Sequence, residues 1–351
     1  MKIGIMSMQR IINYGSYLIA HSMKNTFEKM GHQVEFVDFK IDPPLTTHNS
    51  DHHEENLTDK DKINMIQQEQ FLTRFKEEWI KSLGIDQRNE RPELDLLVIG
   101  SDEVFNCLQA NPDVGYSVEL FGKDNNAKKV ITYAASCGST TYERLVSFGK
   151  DKEVADLLKK MDAISVRDNN TKEFVEKLTN ITPTMSLDPV LLYNFEDEII
   201  DNVEDENYII VYSYILRLND EENKALVDFA RKHNKKIICV GMYQKCCDKF
   251  IPASPLEMLG YFKNADYIFT DTFHGSIFSI KAQKPFATLI RESNKEKLTD
   301  LLERFDKSDR IIGGMEDLEK VLLAPIDYTN TNQIIEKMRI EAYEYLNQFL
   351  K

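Results

Sequence analysis

Positive charge is scarce in this chain. Its 351 residues carry 44 Lys and Arg against 58 Asp and Glu, a formal net charge of −14. A nucleic-acid binder needs a basic face to neutralise phosphates, so this balance argues against that class. Cysteine is sparse and unpatterned. There are five: Cys246 and Cys247 are adjacent, Cys107, Cys137 and Cys239 stand apart, and no C-x-x-C pair occurs. That spacing offers neither a disulfide framework nor a zinc finger, and it reads as reduced thiols in a cytosolic protein. Ten prolines and 14 glycines are too few for a disordered or collagen-like chain. No stretch reaches the roughly 18–20 apolar residues of a membrane span, and the opening Met1 to Met6 lacks the h-region of a signal peptide. The expectation is a soluble cytoplasmic protein, long enough for two domains.

What is present is an alternation of strand and helix patterns. Met1 to Met6 reads as a strand, Ser16 to Met30 as a helix closed by Gly31, and Gln33 to Asp38 as a second strand. The loop Ser7 to Gly15 holds one glycine, which sets aside a dinucleotide fingerprint. Ile41 to Asn64 is polar and reads as an excursion, followed by a helix over about Ile66 to Leu83. Leu94 to Gly100, Val130 to Ala135 and Ala163 to Val166 are apolar runs suited to strands buried on both faces. Between Phe195 and Asn207 lie seven carboxylates and no Lys or Arg, a composition that suits a solvated interdomain linker. The α/β pattern then restarts. Strands are expected at Tyr208 to Tyr212, Lys236 to Val240, Tyr267 to Thr270 and Phe286 to Ile290. Helices are expected at Asp220 to His233, Pro255 to Asn264 behind a Ser254/Glu257 capping box, Ser276 to Gln283 and Asn294 to Phe305. The tail, about Asn332 to Leu350, is an amphipathic helix. The division is an N-terminal α/β domain over 1–194, a C-terminal one over 208–330, and a C-terminal helix over 331–351 that packs back on the first domain.

Ligands of such folds lie at the carboxyl ends of parallel strands, and a cleft between two domains is the default active site. That rule selects Asn13, Tyr14 and Gly15 after the first strand, then Ser101 and Asp102, Ser136, Arg167 and Asp188. In the second half it selects Tyr243 and the segment Asp271-Thr272-Phe273-His274-Gly275-Ser276. Here a histidine falls between a strand and a helix N-terminus whose N–H groups favour an anion, and Gly275 would admit a close backbone approach. Structural roles stand beside these: Arg167 could pair with Asp168 or Asp188, and Ser101-Asp102 could be a helix cap. His48, Asp51, His52, His53, Glu54 and Glu55 are metal-ligating types without ligand spacing, and they read as a solvated loop. G-x-S-x-G, H-E-x-x-H, P-loop and calcium-loop motifs are absent.

Several segments together resemble the polysaccharide pyruvyl transferase family. Leu97 to Asn106 is similar to its IVGSDQVWN segment, Ile131 to Gly138 to YAASFG, Ile164 to Asp168 to ISVRE, and Leu187 to Leu192 to LDPTLL. Ser254 to Gly260, Asn264 to Tyr267 and Thr272 to Ser279 are similar to SPxEFLG, NADY and SFHGTAFS, and Asn13 to Leu18 to the opening NYGAxLQ. The resemblance runs in order over about residues 1–310. Three places depart from it: Phe105 stands where tryptophan is common, Asp271-Thr272 replaces Asn-Ser, and Ile19-Ala20 replaces Gln-Ala.

The resemblance implies a glycosyltransferase-B-like fold, two Rossmann-like domains facing a cleft, with the acceptor on the N-terminal side and the donor on the C-terminal side. It implies transfer of pyruvate from phosphoenolpyruvate to a sugar or lipid-linked oligosaccharide as a cyclic ketal, in surface polysaccharide biosynthesis. No cofactor and no metal are needed. His274 is the expected acid or base, with Asp102 as a second catalytic group. Arg167, with its planar fork, is expected to hold the donor's carboxylate or phosphate. Asn13, Gly15, Ser101, Ser136, Tyr243, Thr272, Gly275 and Ser276 are expected to line the substrates. A nucleotide-sugar glycosyltransferase and a non-catalytic carbohydrate binder are the alternatives. Peripheral membrane contact through the tail and self-association stay open.

Overall fold

The computed structural model describes residues 1–47, 57–201, 203 and 205–351. The metal-ligand-like run from His48 to Glu55 therefore lies outside the described residues. The chain divides into two compact units, one formed by Met1–Asn49, Ile80–Tyr193 and Gln333–Lys351, the other by Ser50–Trp79 and Asn194–Asn332.

In the first unit, strands β1 (Lys2–Met6), β2 (Gln33–Phe36), β4 (Leu96–Ile99) and β6 (Val130–Thr132) form a parallel sheet in the order β2-β1-β4-β6. Every residue of β4 is buried, as a strand covered on both faces requires. Two small parallel pairs accompany it, β3 (Glu93–Leu94) with β5 (Asn126–Ala127) and β7 (Ser165–Val166) with β8 (Thr184–Met185). The register aligns Met6 with Ile99 and Ile99 with Thr132, and bridges continue it from Asp102 to Ala135 and from Ala135 to Val166. The loops carrying Asn13, Asp102, Ser136 and Arg167 therefore leave from one edge. From Gln333 onward the helix Thr329–Asn347 belongs to this unit. Tyr345 donates its hydroxyl to the Thr132 carbonyl at 2.9 Å, and Arg339 donates to the carbonyls of Leu191 and Leu192 at 3.1 and 3.3 Å.

The second unit has one six-stranded parallel sheet in the order β11-β10-β9-β12-β13-β14. Its strands are β9 (Tyr208–Tyr212), β10 (Lys236–Val240), β11 (Lys249–Ile251), β12 (Tyr267–Thr270), β13 (Phe286–Leu289) and β14 (Ile311–Ile312). Register places Tyr212 beside Thr270, Thr270 beside Thr288, and Leu289 beside Ile312, so these carboxyl ends form one rim.

Three expectations change. The helix expected from Ile66 begins at Asp59, because Thr58 and Asp61 close a capping box, and it belongs with the second unit rather than with residues 1–194. Gln68 there donates to the Gly241 carbonyl at 2.7 Å, and Asp61 accepts the Tyr243 hydroxyl at 2.5 Å. The acidic run after Phe195 has partners in the second unit: Asp201 binds Lys263 and Asn264, and Asp205 binds Lys249. The helix expected from Ser276 starts at Phe273, because the Thr272 side chain accepts the Gly275 N–H. His274 thus stands in the first helical turn and not before it.

Candidate active site

In the first unit the strand ends assemble a charged cluster. Asn13 caps the helix Tyr14–Lys29 by accepting the Ser16 N–H at 2.8 Å, and the Ser16 hydroxyl donates to Asp102 at 2.8 Å. Arg167, with 3% of its side chain exposed, gives one terminal nitrogen to Asp102 at 3.3 Å and the other to Asp188 at 3.1 Å. Burial alone would lower this guanidinium's pKa, yet Asp102, Asp188, Asp168 and Glu103 together hold it above its usual range. Asp102 has positive φ and is the more exposed of the two carboxylates. Ser101 is spent on the scaffold, donating to the Ala134 carbonyl at 2.6 Å, and the Ser136 hydroxyl accepts the Gly138 N–H at 3.1 Å.

In the second unit His274 is half-buried, with its ring 5.5 Å from Phe273 and stacked at 6.1 Å on Phe278. Thr270 and Thr272 share a hydroxyl contact at 3.1 Å and together brace the turn. A Cβ on Gly275 would fall 2.0 Å from the Thr270 hydroxyl oxygen. That glycine is therefore required by threonine packing against the helix start. Ser276 is turned inward, between the Thr272 carbonyl and the Thr288 hydroxyl. Tyr243 is fully buried against Asp61, and burial together with that carboxylate pushes its phenol well above its usual range.

One grouping escaped the sequence reading. Asp271, wholly buried, accepts Arg291 Nε at 2.5 Å and lies 3.7 Å from Arg217. Arg291 also gives both terminal nitrogens to Glu222, at 3.1 and 3.0 Å. Arg217, Glu222, Arg291, Ser293 and Gly314 line a cavity of about 810 Å³, which His274 does not line. The available signal was the strand-end rule itself, since Arg291 stands two residues past β13. Among the described residues, no three His, Cys, Asp or Glu side chains are placed to hold a metal ion, and no helix is long and apolar enough to cross a membrane.

Parallel sheets in both units, with chemistry-bearing side chains at their carboxyl ends, define a two-domain Rossmann-like α/β protein of the glycosyltransferase-B kind. The chain belongs to the polysaccharide pyruvyl transferase family, whose sequence model matches residues 13–293, and so to a transferase family of polysaccharide biosynthesis. Among solved structures it is similar to a Listeria monocytogenes protein assigned as a UDP-N-acetylglucosamine 2-epimerase, at 11% identity and a TM-score of 0.51, over 97% of this chain and 91% of that one. The Methanocaldococcus jannaschii UDP-GlcNAc 2-epimerase reaches 14% identity and 0.48, covering 98% and 100%. The glycotransferase of kitacinnamycin gives 10% and 0.49, covering 100% and 99%. A search of curated proteins found no match.

Proposed function

We propose that the protein transfers pyruvate from phosphoenolpyruvate to two hydroxyls of a sugar, releasing phosphate and leaving a cyclic ketal. Five free, buried cysteines suit the reducing cytoplasm as its site of action. The observation that carries the reading is His274, the family's motif histidine. It stands half-buried in the first turn of a helix at the carboxyl end of β12, with its ring at right angles to that of Phe273 and stacked on Phe278.

His274 donates a proton to the methylene carbon of phosphoenolpyruvate, which becomes a methyl group and leaves an oxocarbenium-like carbon. A sugar hydroxyl adds there and loses its proton. The C–O bond to phosphate then breaks, and the second hydroxyl adds and loses its proton. Two protons leave the hydroxyls, one replaces the proton spent on carbon and one is carried by the phosphate. Asp102, set by Ser16 and Arg167, is the base for the first hydroxyl. Positioned acid–base groups of this kind contribute about 10²–10⁴-fold.

The test is phosphate release from phosphoenolpyruvate with purified family acceptor glycans. His274→Asn should lower it by about 10²-fold or more while circular dichroism stays unchanged. Turnover equal to that of the native chain would sink the assignment. A thermal shift given by nucleotide sugars and not by phosphoenolpyruvate would favour a glycosyltransferase instead.

A further inference from the structure

The second unit's cavity has no part in the step assigned to His274, and its charge decides what it can hold. At its base, Arg291 gives Nε to Asp271 and both terminal nitrogens to Glu222, while Arg217 lies 3.7 Å from the same Asp271 carboxylate. Two guanidiniums are thus matched by two carboxylates. The rest of the lining adds Glu221, Glu292 and Glu316, and no further Lys or Arg. A phosphate or carboxylate entering here meets cations already neutralised and three additional negative charges.

Hydroxyl groups meet a different balance. A hydroxyl both donates and accepts, so it can bind a carboxylate oxygen and a guanidinium N–H together, and bonds with one ionised partner are the stronger kind. Ser293 and Asn219 in the same lining add a hydroxyl and an amide. The volume of about 810 Å³ lies within the range of small-ligand sites.

We propose that this cavity binds a neutral saccharide, whose hydroxyls are recognised by Glu222, Arg217, Arg291 and Ser293. That this saccharide is part of the acceptor rests on the reaction proposed above, whereas its binding does not, and the experiment reads binding alone.

The full chain is titrated calorimetrically with neutral disaccharides (lactose, cellobiose, maltose, mannobiose and di-N-acetylchitobiose), with phosphoenolpyruvate and inorganic phosphate as anionic probes. Gly313 lines the cavity, and a Cβ there would meet nothing within 4 Å, so Gly313→Trp can fill the space without backbone strain. At least one disaccharide should bind, and Gly313→Trp should weaken it about tenfold or more at unchanged melting temperature. Ser293→Ala, a smaller change on an exposed loop residue, should weaken it about threefold. Three results would overturn the proposal: no disaccharide binds, binding survives both variants, or either anion displaces the sugar. None of these three results decides whether phosphate is released from phosphoenolpyruvate, so the two readings fail separately.

Discussion

With carboxylates at 3.1 and 3.3 Å and almost no exposed surface, the Arg167 guanidinium sets the position of Asp102 before it meets any ligand. A donor anion would have to share it with both. Lysine carries one compact charge in place of a planar fork, so it can hold one partner well but not two at this angle. Arg167→Lys is therefore expected to lower kcat for phosphate release by about tenfold or more, with KM for phosphoenolpyruvate changing less, because the base is displaced while the charge remains. A pure rise in KM would make Arg167 a donor ligand and not a positioning residue. Asp102, Arg167 and His274 could be picked out in the sequence because each lies within four residues of the carboxyl end of a short apolar strand. Arg291 was not, because its meaning depends on Asp271 and Glu222, which lie 20 and 69 residues away, and no local pattern joins them. Gly275 was legible as a special position, though its packing was not. The crowding that demands it comes from Thr270, a residue that reads as an ordinary strand end.

The helix Asp59–Arg74 shows what element-scale reading misses. Its sequence is polar and weakly periodic, so its start reads as loop. Its stability comes from a capping box and from side chains reaching segments about 180 residues later. By contrast, the Ser254/Pro255/Glu257 signal gave the start of the helix Pro255–Asn264, because capping and N1 proline are local. The helix Asp59–Arg74 also carries a pH signature. Burial tends to raise the Asp61 pKa, but hydrogen bonds from Thr58 and the Tyr243 hydroxyl outweigh it and hold the carboxyl below its usual range. A depressed carboxyl stabilises the fold above its unfolded pKa of about 4, and that stability is lost as pH falls through the lower folded value. Asp61→Asn is expected to cost about 1–3 kcal/mol at neutral pH. The gap from the native chain should narrow as the pH is taken below about 4. Urea midpoints at the two pH values measure this, and a gap independent of pH would remove Asp61 as the source.

At the scale of the whole molecule, the question is how a chain of net charge −14 handles a trianionic donor. Neither described strand-end cluster carries an excess of positive charge. Arg167 faces Asp102 and Asp188, and Arg217 and Arg291 face Asp271 and Glu222. The field that phosphoenolpyruvate meets on approach is then set by the surrounding acidic excess and is repulsive. Its reach depends on salt: the Debye length is about 30 Å at 0.01 M and about 8 Å at 0.15 M. Raising ionic strength should therefore switch off distant carboxylates while sparing contacts made at the site. KM for phosphoenolpyruvate is expected to fall, by about two- to fivefold, between about 10 and 150 mM salt. KM for an uncharged acceptor should stay constant across the same series and serves as the control. An enzyme that gathers its anion with a basic cleft shows the opposite trend, because salt screens the attraction. A rise in KM for phosphoenolpyruvate with salt would thus require a local positive excess that these ion pairs do not supply, and would reject the charge argument for the whole protein.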